Sequence, residues 1–478
     1  MKKIIASILN NLKTVYEIIP GRLKKQYIKI ILLSFVLALV EFIGLSVLIP
    51  FFNEITETGG QTYLLLVNKV LPAPLDLDQH QSIIFSITIV VILLLVKNSI
   101  SALVVFKQFK FGSRVQASVS EGLFSGYLKK QYNEIVDKNS SELIRNAIPE
   151  TNKLNESVIV PSFFLITDFF LVSTIVIFLL ITEPLASIIL FSIIGIFYGL
   201  PVYFLGQKLT RWGKERFSVE GLRVKILQEG LGAFVDIKLR NAAEQYLRKY
   251  KKVNTQSANY GYLLNANLQL PKLALEIFIF IALLTMILVT SSFTDYSNKD
   301  LLKVLGLFAI SAYKLIPTLG RITNTIQTIR FYKPSMEVFA GIEEKISETS
   351  ITEPIQPLKF SSELEIKKLN LNFISKKLLK DINITIHKGD TIGVIGESGS
   401  GKTSLAYCIL GLTEPTSGDI LVDGTNIQSN LNSWRGLIGY VPQAVYLLDD
   451  SIQSNITLNF NGEPVDQSRL LLVTKQAG

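Results

Sequence analysis

The sequence predicts an α-helical domain that crosses a membrane six times, followed by part of an α/β phosphate-loop domain. Three observations carry that fold class. Six apolar segments approach the length of about 20 helical residues that a bilayer core requires. The stretch "GESGSGKTS", residues 396–404, matches G-x-x-x-x-G-K-[ST] without a mismatch. Between the two, "EEKISETSITEPIQPLKF" (343–360) turns polar and carries two prolines, as a linker does. The boundaries read as 1–29 for an N-terminal interfacial region, 30–340 for the membrane domain, 341–360 for the linker and 361–478 for the nucleotide domain.

The elements follow in order. "MKKIIASILNN" has two lysines and only a short apolar run. It reads as an interfacial helix reaching about Glu17, not as a cleaved leader. The spans are Ile30–Phe52, Ser82–Phe106, Val158–Ile181, Leu185–Leu205, Ile277–Thr290 extended back toward Asn265, and Leu301–Ile316 extended forward. Pro184 divides the third from the fourth, and "TDYSNKD" (294–300) the fifth from the sixth. Two long loops, 107–157 and 206–272, repeat apolar residues at helical spacing and read as helices continuing out of the bilayer. After the linker, "LEIKKLNLNF" alternates as a half-buried strand does. "DTIGVI" (390–395) supplies a strand before the loop and "TSLAYCILGL" (403–412) a helix after it. "DILVDG" (419–424) reads as a hairpin.

Composition bounds the function. The chain of 478 residues is 48% apolar, with mean hydropathy +0.37. Its net charge of +9 is placed by topology: 28 Lys and Arg fall in the loops on one side of the predicted spans and 2 on the other. Basic loops stay inside, so the N-terminus and the phosphate loop both face the cytoplasm, and nucleic-acid binding is not expected. The single cysteine, Cys408, rules out an intrachain disulfide and a cysteine metal site. It lies on the helix behind the loop and reads as structural.

The loop's chemistry is specific. Its glycines let backbone N–H groups converge, with the following helix N-terminus, on phosphate oxygens. Gly396, Glu397, Ser398, Gly399, Ser400, Gly401, Lys402, Thr403 and Ser404 form the expected ATP cradle. Lys402 would reach the β- and γ-phosphates, and the Thr403 hydroxyl would ligate Mg²⁺. Four cations fall within or beside the apolar segments: Lys97, Lys272, Lys314 and Arg321. A charge at mid-bilayer costs about 2.5–3.5 kcal/mol on insertion scales, so such residues usually have a partner or a task. Two readings stand: substrate contact, or snorkelling and ion pairs with Glu41, Asp168 or Glu276.

With these residues in view, the chain resembles the ABC exporters of half-transporter type, six membrane helices followed by a nucleotide-binding domain. "GYVPQAVYLLDDSIQSNI" (439–456) resembles that family's glutamine loop. The resemblance implies that Gln443, 41 residues after Lys402, contacts Mg²⁺ and water. It implies that Phe373 stacks on adenine, and that "YNEIVDKNSSELI" (132–144) and "LGAFVDIKLR" (231–240) are coupling helices. It further implies pairing with a second copy as a homodimer. Within the family, "VEFIGLSVLIPFF" (40–52) and "AYKLIPTLGRI" (312–322) resemble bacterial lipid-linked oligosaccharide flippases. That likeness implies an inner-membrane location, contact with membrane lipid, and an amphiphilic, lipid-linked substrate. In those flippases basic residues grip a lipid pyrophosphate, and Lys97, Lys272 and Lys314 fall at matching positions. Lysine keeps the charge there without the bidentate fork of arginine. Peptide, bacteriocin and drug exporters share the same frame.

The family's signature motif, Asp-Glu strand and switch histidine are not found in the 478 residues. "VYLLDD" (445–450) falls just beyond the glutamine loop rather than in the Asp-Glu strand. The sequence is therefore expected to stop within the nucleotide domain, after the glutamine loop. It would bind ATP without completing the hydrolytic site. A natural short form that binds ATP without hydrolysing it is the alternative.

Overall fold

The structure is a computed structural model. It describes residues 13–46, 78–130, 132–136, 138–293, 298–340, 358–373, 376–443, 445–459, 462 and 464–478. The chain divides into two compact units, one of residues 1–130 and 134–351, the other of residues 131–133 and 352–478.

The first unit is helical. Residues 13–18 form a short helix ahead of α1 (Gly21–Ser46). The long α2 (Gln79–Lys129) starts at a capping box. Asp78 Oδ1 accepts the Gln81 N–H at 2.8 Å, and the Gln81 side chain accepts the Asp78 N–H at 3.3 Å, satisfying two end donors. At 1.5 Å per residue, the 51 residues of α2 span about 75 Å. That exceeds a bilayer core of about 30 Å, so residues 107–129 continue the apolar helix, as their helical spacing predicts. The short α3 (Tyr132–Val136) precedes α4 (Ser140–Thr182). Pro184 then opens α5 (Pro184–Gly232) at a first-turn position, where its missing N–H costs nothing. The short α6 (Phe234–Leu239) leads to α7 (Ala243–Phe293). Next come α8 (Asn298–Phe331) and α9 (Lys333–Phe339). The two segments expected as coupling helices contain α3 with the start of α4, and α6.

Two apolar cores hold this unit. One joins Leu171, Ile175 and Leu179 of α4 to Leu190 of α5, Leu275 and Ile279 of α7, and Phe308 and Leu315 of α8. The other gathers Ile19, Tyr27, Phe111, Phe163, Leu209, Phe331 and Phe339. Outside them, Leu32, Leu95, Leu103, Phe106, Phe169, Ile181, Phe280 and Leu288 are exposed. A helical unit apolar on its outside as well as its inside is built for lipid. Among the described residues four helices are long and apolar enough to cross a membrane, with Pro184–Gly195 as a shorter apolar helix. α8 contains the predicted sixth span, Leu301–Ile316, with Lys314 near its end and Arg321 beyond it.

α4 contains two π-helical turns, Asn146–Glu150 and Asn155–Ile159. They turn buried polar groups toward neighbouring helices. Glu150 is 1% exposed and takes the Arg216 guanidinium of α5 at 2.8 Å, together with the Ser335 hydroxyl of α9. Arg145 donates to the Phe217 carbonyl at 3.0 Å. A buried charge must be paired, and these pairs fix the helices in register.

The second unit is an antiparallel sheet of order β2-β1-β3-β4, with short helices around it. Its strands are β1 (Glu363–Phe373), β2 (Lys376–His387), β3 (Ser417–Val422) and β4 (Thr425–Asn426). Leu364, Ile366 and Leu371 of β1 pack with Leu379, Ile420, Val422, Leu405, Cys408 and Trp434. The alternation expected for β1 and the 419–424 hairpin are both present. The strand expected at 390–395 is a correction. That segment has no ladder partner among the described residues, and Ile392, Val394 and Ile395 are exposed. Extended chain becomes a strand only when a neighbour takes its hydrogen bonds.

Candidate phosphate-binding site

The loop runs from Gly396 into α10 (Lys402–Ile409). The Ser400 N–H donates to the Glu397 carbonyl at 3.2 Å, and the Leu405 N–H to the Gly401 carbonyl at 2.9 Å. Gly401 caps the helix at φ 99°, where a side chain is strained. A Cβ there would also lie 3.0 Å from the Leu378 carbonyl oxygen. The Lys402 Nζ donates to the carbonyls of Gly396 at 2.9 Å and Glu397 at 2.8 Å, so the ammonium is held over the loop that precedes it. Thr403 is exposed on the first turn, its hydroxyl free of the core.

α10 is anchored from behind. Leu405 and Cys408 are buried, Cys408 completely, and burial pushes the Cys408 thiol up to about 11. At the far end, the Trp434 indole N–H donates to the Ile409 carbonyl at 2.7 Å and Arg435 donates to the Gly411 carbonyl. Trp434 and Arg435 lie on α11 (Leu431–Arg435). A donor and a cation at a helix C-terminus complement its dipole. They hold the opposite end, with its converging N–H groups, in place.

These features fit a nucleotide phosphate bound with Mg²⁺. The capping glycine keeps the backbone clear of a side chain, a helix N-terminus faces the loop, and one ammonium and one hydroxyl stand at its edge. Lys402 and the loop amides would hold the phosphates, and Thr403 the Mg²⁺. Gln443 is exposed at a bend. Three residues before it, the Tyr440 phenol is raised above its usual range, chiefly by the neighbouring Tyr407 hydroxyl. Phe373 ends β1, and its side chain lies outside the described residues.

Asp423, near the end of "DILVDG", has a structural task. Asp423 accepts the N–H groups of Ser361 at 2.6 Å, Ser362 at 2.8 Å and Glu363 at 2.9 Å. These bonds, led by that from Glu363, hold its carboxyl below the usual range. "VYLLDD" forms no strand. Its Leu448 bonds reciprocally with the Asn455 side chain, at 2.7 Å and 3.1 Å, and so shapes the turn into α12 (Ile452–Thr457). The chain ends with α13 (Gln467–Ala477). Sequence reasoning missed Tyr407, Tyr440 and Trp434. A tryptophan on a short, otherwise polar helix was a signal for an anchoring contact.

Of the four membrane cations, the structure brings two together. The ammonium groups of Lys97 and Lys314 reach the same oxygen, Glu41 Oε2, at 2.9 Å and 2.7 Å. Arg321 has a different partner: its guanidinium grips Asp168 with two bonds, at 2.9 Å and 2.6 Å. Lys272 is exposed on α7 and makes no ion pair among the described residues.

Residues 379–477 match the family described as ABC transporter. A stretch of 154 residues is 30% identical to a protein of Syntrophus aciditrophicus named ATP-dependent lipid A-core flippase, covering 32% of this chain and 25% of that protein. A protein of the same name from Methylococcus capsulatus is 22% identical over 428 residues, 88% of this chain and 69% of its own length. Multidrug resistance protein 1 of Plasmodium falciparum is 30% identical over 185 residues, 36% of this chain and 12% of that protein. The matched stretches thus span a quarter or less of the first curated relatives. Among solved structures, a bacterial Atm1-family ABC exporter with ATP bound superimposes at TM-score 0.69 and 15% identity. The match covers 95% of this chain and 77% of that one, a likeness of fold.

Proposed function

We propose that this chain, an ABC exporter half-transporter, binds MgATP at residues 396–404 and uses it to move a lipid-linked oligosaccharide across a bacterial inner membrane. The carrying observation for the nucleotide is the loop itself: Gly401 in a left-handed cap, Lys402 folded over Gly396 and Glu397, and a helix anchored from behind by Trp434. ATP supplies the phosphate charge and the bound energy. Lys402 and the loop amides orient it, Thr403 and Gln443 serve Mg²⁺, and the Phe373 ring stacks on adenine.

For the cargo, the support is Lys97 and Lys314 converging on one carboxylate within apolar helices. Two ammonium groups against one carboxylate leave one positive charge, which favours an anionic headgroup such as a lipid pyrophosphate. The relatives named for lipid A-core favour an amphiphile. Arg321, already neutralised by Asp168, acts as a strut, and Lys272 lends charge from its exposed place on α7. Six crossings put the N-terminus and the nucleotide domain in the cytoplasm, and a second copy completes the pathway as a homodimer. The 478 residues contain neither the signature motif nor the Asp-Glu strand, so on their own they bind ATP with background turnover. Robust hydrolysis that depends on Lys402 would contradict this.

The test of the cargo uses the chain in lipid nanodiscs. Fluorescent polyprenyl pyrophosphate should bind saturably, and Lys97→Gln/Lys314→Gln should weaken that binding at least tenfold. Export of peptides or drugs is the second reading, favoured by the relatives named for multidrug resistance. Saturable binding of an amphipathic peptide or a cationic dye, with none of the pyrophosphate lipid, would select it.

A further inference from the structure

We infer that Glu41 is a displaceable counter-ion. It holds Lys97 and Lys314 between transport events, yields them to the cargo's anionic headgroup, and recaptures them on release. This rests on the cargo reading above and extends it to a residue that does not itself contact the cargo.

The geometry differs from that of the neighbouring pair. Arg321 and Asp168 are matched one to one by two parallel bonds, and the Asp168 side chain is only 3% exposed. That arrangement is neutral. At Glu41 both ammonium groups crowd onto Oε2. Among the described residues the other oxygen, Oε1, receives only the Ser101 hydroxyl at 3.3 Å, and that hydroxyl also donates to the Lys97 carbonyl at 2.9 Å. So Glu41 is bound through one oxygen and weakly held at the other, and the cluster is left one charge in excess.

Three helices meet at this carboxylate: α1 through Glu41, α2 through Lys97 and α8 through Lys314. Gly44, one turn beyond Glu41, permits the approach. A Cβ at Gly44 would fall 2.5 Å from Lys97 Cδ, so glycine lets the lysine stem lie flat on α1. The Lys97 side chain is 12% exposed and that of Glu41 19%. Burial makes the unbalanced charge costly.

A pyrophosphate between the two lysines would balance that charge. It would also set a carboxylate among phosphate oxygens, and like charges that close repel. Binding therefore requires the lysines to leave Glu41. Lysine suits the exchange, because its ammonium is a point charge on a rotatable four-carbon stem, whereas the arginine fork is fixed. A carboxylate that competes for the same cations lowers resting affinity and gives the site a way to expel its anion.

The experiment titrates fluorescent polyprenyl pyrophosphate into the 478-residue chain in nanodiscs, as wild type, Glu41→Gln, Glu41→Asp and Lys97→Gln/Lys314→Gln. Thermal unfolding checks that each is folded. Glu41→Gln should bind at least tenfold more tightly. Glu41→Asp, one methylene shorter and unable to reach both lysines, should tighten binding by less, and it carries the test if the Gln variant does not fold. A residue that merely positioned the lysines would lose affinity on substitution, so tightening separates the two roles. If the double lysine variant weakens binding while both Glu41 variants bind as wild type or worse, the counter-ion role is overturned and the cargo reading stands. If the double lysine variant binds as wild type, the cargo reading itself fails.

Discussion

Arg321→Gln removes one half of the ion pair that ties α8 to α4. Asp168 is the buried half, with 3% of its side chain exposed, against 58% for Arg321. Deleting one partner of a buried pair costs about 3–5 kcal/mol, because the survivor is left uncompensated. The exposed guanidinium argues for the low end, about 3 kcal/mol. At about 2–4 °C per kcal/mol for a large domain, the unfolding midpoint should fall by about 6–12 °C. The assay is thermal unfolding in nanodiscs at a fixed scan rate, followed by Trp212 fluorescence in a Trp434→Phe background. Asp168→Asn/Arg321→Gln should recover most of the loss, since two neutral amides can pair without a buried charge. A single variant that unfolds as wild type, or a double variant as unstable as the single, would refute the strut. If the stable single variant also lost polyprenyl-pyrophosphate binding, Arg321 would belong to the cargo site.

Two further outcomes test the nucleotide unit. Asp423→Asn keeps a residue that tolerates the φ of 45° and removes the charge that three N–H groups hold. The folded-state carboxyl titrates below its unfolded value, so its stabilisation is present above about pH 4 and is lost as the pH falls through the folded value. The urea midpoint, read by Trp434 in a Trp212→Phe background, should differ between wild type and variant at pH 7 and converge in acid; a gap that persists in acid would contradict it. Cys408, fully buried with its thiol pushed up to about 11, should resist maleimide at pH 7.5 in the native chain and react fully once denatured. Rapid native labelling would mean that α10 is not packed as described.

The phosphate loop was legible from its letters because its chemistry needs those residue types at that spacing. Helix positions were legible from hydropathy, and the continuation of the helices beyond the apolar runs from helical spacing. Residues 107–129 repeat apolar positions at helical spacing with charges between, and α2 runs through them. The strand at 390–395 was overread. "DTIGVI" has the composition of a strand, but a strand is a property of two segments, and among the described residues no second segment takes its hydrogen bonds. The buried charges were half legible. That Lys97, Lys314 and Arg321 needed partners followed from the cost of charge in lipid. That two of them share Glu41 while Arg321 takes Asp168 depends on how the helices pack. Tyr440 stands inside the quoted stretch 439–456, but its neighbour Tyr407, like the partner of Trp434, lies 25–33 residues away in the sequence, and no local pattern marks such a contact.

The central claim is that residues 396–404 grip MgATP through Lys402. Calorimetric titration of MgATP into the nanodisc-embedded chain, as wild type and as Lys402→Ala, tests it most directly. A hydrogen bond to a charged group contributes about 1.5–3 kcal/mol, so the substitution should weaken binding about 10- to 150-fold with no change in the unfolding midpoint without nucleotide. Equal affinities in two equally folded proteins would contradict the account.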